Sequence, residues 1–127
     1  MIDVVCGVIK NGDKYLITQR GDKKNYGKWE FPGGKVKENE HPFDSIKREL
    51  FEELELEINP IHEITRYPFK KHNLIFILCN PLNISDIRLK EHKSLTWVSK
   101  EEFKNFIFLE GDEEFIRDYT NEIIYRK

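Results

Sequence analysis

The chain has 127 residues, a length that suits one domain with a single hydrophobic core, and we expect residues 1–127 to form that domain. Hydrophobic residues make up 39% and charged residues 35%, a balance typical of a folded globular protein and not of a disordered chain. The formal net charge is −2 and the basic residues are scattered, which argues against a long nucleic acid as a partner.

The apolar segments are short. The longest one, residues 74–79, has only a fraction of the about 20 residues that a membrane-spanning helix needs. The first residues carry neither the basic segment nor the cleavage site of a secretion signal, so we expect a cytoplasmic protein without a membrane partner. Cys6 and Cys79 lie in strand-like segments without the spacing of metal ligands, and we interpret them as reduced core thiols. The apolar pattern of the sequence does not distinguish a monomer from an oligomer.

The first predicted elements form a β-hairpin. Residues 4–9 are an apolar, β-prone run, and residues 15–18 are a second one. Asn11, Gly12 and Asp13 separate the two runs, and these residue types tolerate the positive φ angles of tight turns.

A helix is predicted after the glycine-rich segment 31–34. Pro42 is tolerated only in the first turn of a helix, so the helix begins near residue 41. Apolar residues then recur at helical spacing, and the helix ends near residues 54–56, ahead of Pro60. The buried stripe consists of Phe43, Ile46, Leu50 and Leu54.

The C-terminal half predicts further strands, followed by helices. The strand candidates are residues 61–69, 74–79 and 95–98. A capping box from Ser99 to Glu102 opens a short helix, and Asp112 is placed to cap a last amphipathic helix. The apolar face of that helix carries Phe115, Ile116, Tyr119 and Ile123. Strands and helices interleave without regular βαβ units, so we predict an α/β (α+β) fold with a mixed sheet covered by helices.

Three carboxylates recur on one face of the first predicted helix. They stand at positions i, i+3 and i+4, within an arc of roughly 100°, and belong to Glu49, Glu52 and Glu53. Such carboxylates repel one another unless a cation compensates them, and their oxygens suit Mg²⁺ or Mn²⁺. The alternative is a merely solvated helix face. Nearby, the backbone of Gly33 and Gly34 can approach a phosphate or a metal closely, and Arg48 can orient a carboxylate.

Segment 34–56 resembles the Nudix box, which reads G-x5-E-x7-R-E-U-x-E-E-x-G-U with U aliphatic. The matching residues are Gly34, Glu40, Arg48, Glu49, Leu50, Glu52, Glu53 and Leu56. Glu55 is the one departure, because the family has a glycine there that helps to end the helix and turn the chain. Residues 29–35 and 91–99 are similar to the stretches before and after the box in MutT-like members, so the resemblance covers most of the chain.

The resemblance implies the Nudix fold, a mixed β-sheet between helices with the box as a loop-helix-loop. It implies a Mg²⁺ site, with Mn²⁺ as a substitute, whose ligands are the carboxylates of Glu49, Glu52 and Glu53 and the carbonyl of Gly33. Glu91, in a later loop, would bind a second metal or act as general base, unless it is a plain surface residue. Arg48 would orient the glutamates, and Glu40 would be a supporting acid.

MutT-like members further imply a (deoxy)nucleoside triphosphate as substrate, cleaved to the monophosphate and pyrophosphate, with a role in nucleotide-pool sanitation. Arg20 would contact phosphate or be a surface arginine, and the Gly34 backbone would lie against the substrate. Phe31 would face the base or pack in the core. Asp112 would read the base edge or only cap its helix. As a carboxylate it would accept hydrogen bonds from the amino group of cytosine or from N1–H and N2–H₂ of guanine.

Two other interpretations stay open. Nudix hydrolases of other kinds cleave ADP-ribose, dinucleoside polyphosphates or RNA 5′ ends, although the low net charge disfavours long RNA. Nudix-like domains also serve as non-catalytic nucleotide sensors, an interpretation that the complete set of box acids disfavours.

Overall fold

The computed structural model describes the backbone of residues 1–125 and the side chains of residues 1–118. Its strands are β1 (Ile2–Asn11), β2 (Lys14–Gln19), β3 (Trp29–Glu30), β4 (Gly33–Lys35), β5 (Ile58–Phe69), β6 (His72–Pro81) and β7 (Ser94–Val98). Its α-helices are α1 (Pro42–Leu54) and α2 (Glu110–Tyr125), and short 3₁₀ helices span Ile84–Asp86 and Lys100–Asn105. None of the described helices is long and apolar enough to cross a membrane.

Strand β1 is the centre of a seven-stranded mixed sheet. It pairs in parallel with β6 along most of its length, and β6 pairs with the edge strand β5 in the antiparallel sense. The other side of β1 is shared, because its first half pairs with β4 and its last residues pair with β2. Strand β2 in turn pairs with β3 and β7.

The two faces of the sheet carry separate hydrophobic clusters, as the alternation of side chains along a strand requires. Val5 and Ile9 of β1 point to one face, where they pack with the helix residues Ile46, Leu50 and Leu54. Val8 points to the other face, which holds an aromatic cluster. The rings of that cluster belong to Tyr15, Phe31, Phe76, Phe103, Phe108 and Phe115. The sheet thus lies between α1 on one face and the start of α2 with a 3₁₀ helix on the other, and the predicted fold class is confirmed.

Helix α1 has the bounds that its proline and apolar stripe predict. His41 is the N-cap, and its Nδ1 accepts a hydrogen bond from the Phe43 amide at 3.0 Å. Glu55 follows the last turn in the left-handed region with φ of 52°, and its amide donates to the Phe51 carbonyl. The Leu56 amide reaches back to the Leu50 carbonyl, so the helix ends in an αL turn whose left-handed residue is not a glycine.

Three details differ from the predicted elements. The short strands β3 and β4 were not predicted, because two or three residues carry no periodicity. Strands β5 and β6 are longer than predicted and meet in a tight turn at Lys70, whose φ is 57°. Asp112 does not cap α2, which begins two residues earlier at Glu110. Tyr119 and Ile123, assigned to the apolar face of that helix, lie outside the described side chains.

Candidate active site

A cleft of about 600 Å³ opens between the start of β1, strand β4, the end of α1 and the start of α2. A space of this size is typical of sites that bind small molecules. The predicted site residues that line the cleft are Arg20, Phe31, Gly33, Gly34, Glu53, Glu91 and Asp112. Glu49, Glu52 and Arg48 stand beside it rather than among the lining residues.

Arg48 binds several groups at once. Its Nε and Nη2 donate to both carboxylate oxygens of Glu40 at 2.8 and 2.9 Å. Its Nη1 donates to Glu49 at 2.8 Å and to Glu52 at 2.9 Å, and Nη2 also reaches the Lys35 carbonyl. Arg48 therefore ties the loop before α1 to the acidic face of the helix, which agrees with the orienting role that the resemblance implies.

Glu40 is held in its ionised form by these contacts. The hydrogen bonds from Arg48 and Ser45, followed by that from the Lys37 amide, keep the pKa of the Glu40 carboxyl well below its ordinary value. The Ser45 hydroxyl donates to Glu40 Oε1 at 2.6 Å, and the Lys37 amide donates to the same Oε1 atom at 3.0 Å. Glu40 thus supports Arg48 from the loop and is not among the residues that line the cleft.

At Gly33 and Gly34, near the start of the box, neighbouring atoms lie so close to the backbone that a side chain would collide with them. A Cβ atom at Gly33 would collide with the Val5 carbonyl of the neighbouring strand. A Cβ atom at Gly34 would collide with the carboxylate of Glu49. The absence of a side chain at residue 34 therefore lets the Glu49 carboxylate lie directly against the backbone of β4.

Glu53 is the buried acid of the cleft. Its Oε1 is buried and has no hydrogen-bond partner among the described residues. Burial, and after it the negative charges of Glu49, Glu30 and Glu91, raise the pKa of the Glu53 carboxyl to about 8, against a lowering effect of Arg20. A carboxylate oxygen in this situation lacks a cationic partner, and a divalent cation would supply one.

Glu49, Glu52 and Glu53 do not form a ready-made metal-binding group in the structure. Within the described part of the chain, no three His, Cys, Asp or Glu side chains stand close enough to hold a metal ion as they are. Glu49 and Glu52 are both bound to Arg48, and the Glu52 side chain is 55% exposed. Helical spacing fixes which side of the helix a residue faces, but it does not fix the rotamer that a neighbouring arginine selects.

Glu91 lies in a loop that is fastened to the end of α1. The Arg88 amide donates to the Leu54 carbonyl at 2.8 Å, and the Lys90 amide donates to the Glu53 carbonyl at 3.2 Å. These bonds use carbonyls that a helix end leaves without partners inside the helix. They carry Glu91 to the same cleft as Glu53.

A second polar cluster, which the sequence patterns did not single out, forms the wall near β3. Glu30 Oε2 lies 2.7 Å from His92 Nε2, and Glu30 Oε1 accepts a hydrogen bond from Arg20 at 3.3 Å. Arg20 is also held by Asp22 at 2.9 Å. The only sequence signals were positional, since Glu30 precedes the glycine-rich segment and His92 follows Glu91.

In the same cleft, Asp112 binds the backbone of residue 31. Asp112 Oδ2 accepts a hydrogen bond from the Phe31 amide at 2.7 Å, and the side chain is 6% exposed. Burial, followed by the charge of Glu30, raises the pKa of the Asp112 carboxyl well above its ordinary value. The Phe31 ring packs into the aromatic cluster of the core, so its backbone and not its ring meets Asp112.

The family model of the NUDIX domain matches residues 2–119. The chain belongs to the Nudix family.

Curated relatives and solved structures agree with this assignment. An 8-oxo-dGTP diphosphatase of Buchnera aphidicola (from Schizaphis graminum) is 35% identical over 127 residues, which cover 98% of this chain and 97% of the relative. A CTP pyrophosphohydrolase of Escherichia coli is 33% identical over 107 residues, which cover 80% of this chain and 78% of the relative. A structure from a study of MutT of Aliivibrio salmonicida and Vibrio cholerae superposes with a TM-score of 0.80 at 25% identity, over 95% of this chain and 98% of that one. The predicted MutT-like Nudix hydrolase is confirmed.

Proposed function

We propose that this chain hydrolyses a nucleoside triphosphate to the nucleoside monophosphate and pyrophosphate, with Mg²⁺ as cofactor and Mn²⁺ as a substitute. The observation that carries the proposal is the arrangement of one cleft. The Glu53 carboxyl, which has an oxygen without a partner among the described residues, lines this cleft together with Glu91, Arg20 and Asp112. Carboxylates that would hold a metal, an arginine that would bind phosphate and a buried carboxyl that would meet the base suit the parts of a nucleoside triphosphate.

The glutamates in and beside the cleft are proposed to hold the metal. Its ligands would be Glu49, Glu52, Glu53, Glu91 and the Gly33 carbonyl. Hydrated Mg²⁺ neutralises phosphoryl oxygens and supplies an activated water. Glu53 and Glu49 provide hard oxygen donors, and the bare backbone of Gly34 lets the Glu49 carboxylate approach strand β4 closely. Glu52 is bound to Arg48 and must leave that contact to join the ligands.

Arg20 is proposed to contact the phosphate chain. It lines the cleft, and its guanidinium is held in place by Asp22 and Glu30. A fixed guanidinium presents several N–H donors to phosphate oxygens without first losing the freedom of a mobile side chain.

Asp112 is proposed to read the base. Its Oδ2 accepts from the Phe31 amide, and the carboxyl would also accept a hydrogen bond from a donor on the base edge. The amino group of cytosine and the N1–H and N2–H₂ edge of guanine both supply such a donor. The names of two relatives mention a guanine or a cytosine nucleotide: one is an 8-oxo-dGTP diphosphatase and the other is a CTP pyrophosphohydrolase. We therefore propose a role in the cytoplasmic sanitation of nucleotide pools, with an oxidised guanine or a cytosine nucleotide as substrate.

The test is a Mg²⁺-dependent screen that measures pyrophosphate and orthophosphate separately. The panel contains ordinary, oxidised and methylated nucleoside triphosphates, ADP-ribose and dinucleoside polyphosphates. We expect pyrophosphate from a guanine or cytosine triphosphate. Release of orthophosphate would refute the position of cleavage, and activity confined to ADP-ribose or dinucleoside polyphosphates would refute the substrate class. Tight binding of a nucleotide without turnover would instead identify a sensor.

A further inference from the structure

We infer that Glu30 and His92 form a positioning pair, which fixes the loop of Glu91 and the side chain of Arg20 against the cleft. The inference rests on the proposed function in that Glu91 and Arg20 are the residues positioned. Neither Glu30 nor His92 is assigned a contact with substrate or metal.

The pair is buried and direct. The His92 side chain is 6% exposed and the Glu30 side chain 14%, and their Nε2 and Oε2 atoms are 2.7 Å apart. The hydrogen bond joins residues 62 positions apart in the sequence, so it fastens a distant loop to the sheet. A hydrogen bond that involves a buried carboxylate is stronger than an exposed one, because water does not compete for it.

Glu30 is itself anchored in the sheet. It belongs to β3, and Thr18 of β2 is its partner in the strand register. Lys93, the residue after His92, is fixed to strand β2, because its amide donates to the Gln19 carbonyl at 2.8 Å. Residues 92 and 93 are therefore held from the side of β2 and β3.

The residues before Glu91 are held from the opposite side. The Arg88 and Lys90 amides bind carbonyls at the end of α1. Glu91 thus lies between a stretch fastened to the helix and a stretch fastened to the sheet. Its own side chain faces the cleft, so the neighbours set its position.

Glu30 is better suited to positioning than to metal binding. Both of its oxygens are already used, one by His92 and the other by Arg20. Glu53, by contrast, has an oxygen without a partner among the described residues. The same two contacts let Glu30 set the direction of the Arg20 guanidinium, which lines the cleft.

A second ion pair on this loop offers a matched control. Lys90 Nζ lies 2.7 Å from Glu55 Oε2, but these side chains are 47% and 37% exposed. Exposed pairs contribute little, because water and salt screen them. Loss of the Lys90 pair should therefore leave the loop in place, whereas loss of the His92 pair should release it.

The test compares His92→Leu, His92→Gln and Lys90→Ala. We expect His92→Leu to lower kcat by roughly tenfold to a hundredfold with little change in KM, the usual effect of removing a partner that orients a ligand. His92→Gln places an amide donor near the position of Nε2 and should recover most of the activity. Lys90→Ala should stay within about twofold of the wild type.

A measurement without metal separates this inference from the proposed function. Amide hydrogen exchange of segment 87–93, in metal-free protein, should be faster in His92→Leu and unchanged in Lys90→Ala. Wild-type exchange and wild-type kcat in His92→Leu would overturn the inference, as would a raised KM with unchanged kcat. If His92→Leu does not fold, Glu30→Ala is measured in its place, with the same expected exchange and fall in kcat, and with a raised KM as well because Arg20 loses its partner. If the wild-type chain hydrolyses none of the substrates, the proposed function is refuted. The exchange data would still test the positioning pair, because they are measured without metal or substrate.

Discussion

Glu55 ends α1 in the left-handed region with φ of 52°, and its carboxylate lies 2.7 Å from Lys90 Nζ in the loop that carries Glu91. The Nudix box has glycine at this position, and glycine adopts positive φ without the steric penalty of a side chain. The chain thus accepts backbone strain at a position where glycine would have none, and it gains only exposed ion pairs with Lys90 and Arg88 in return.

Glu55→Gly should stabilise the protein. It removes the strain of a left-handed glutamate and loses a pair that solvent screens, so we expect a rise in Tm of about 2–4 °C. Glu55→Ala is the control, because it keeps the strain and removes the pair, and its Tm should stay at or slightly below that of the wild type. A lower Tm for Glu55→Gly than for the wild type would show that the ion pair outweighs the strain.

The helix acids could be predicted from the sequence because their spacing is local. Glu49, Glu52 and Glu53 share one helix, and helical geometry alone decides that they face the same side. Their rotamers could not be predicted, since Arg48 selects the one of Glu52. The pairs of Glu30 with His92 and of Phe31 with Asp112 span 62 and 81 positions, and no local pattern records a contact at such a separation.

Glu53→Gln and Glu52→Gln should both lower turnover by about two orders of magnitude or more, because each removes a proposed ligand charge and no core contact. Their effects on the metal-free fold should differ. Glu53→Gln removes a buried carboxylate that lacks a partner, so its Tm should equal or exceed that of the wild type. Glu52→Gln removes an exposed partner of Arg48 and should change Tm very little. Wild-type turnover in both variants would refute the metal assignment.

Glu40 should make the fold sensitive to acid. The pKa of its carboxyl is lower in the folded chain than in the unfolded chain, because Arg48 and Ser45 bind the ionised form. Its stabilising contribution is therefore complete above the ordinary glutamate pKa and is lost as the pH falls below that value. Urea midpoints measured from pH 7 to pH 3 should decline less steeply in Glu40→Gln than in the wild type. Parallel profiles would contradict the assigned pKa.

Asp112 should give the stability of the fold the opposite dependence on pH. Burial raises the pKa of its carboxyl above the value in the unfolded chain, so the folded state holds the proton more tightly. Stability should then fall as the pH rises from the ordinary aspartate pKa through the raised one. Asp112→Asn keeps an oxygen that accepts from the Phe31 amide and removes the buried charge.

Asp112→Asn should therefore be more stable than the wild type at pH 7, and the advantage should shrink as the pH approaches 4. The same variant tests base reading. Its amide presents a donor as well as an acceptor, so the preference for bases that offer an amino group should weaken, seen as a smaller ratio of kcat/KM between the best substrate and thymidine triphosphate. A change in stability with an unchanged ratio would mean that Asp112 serves the fold alone, through its bond to the Phe31 amide.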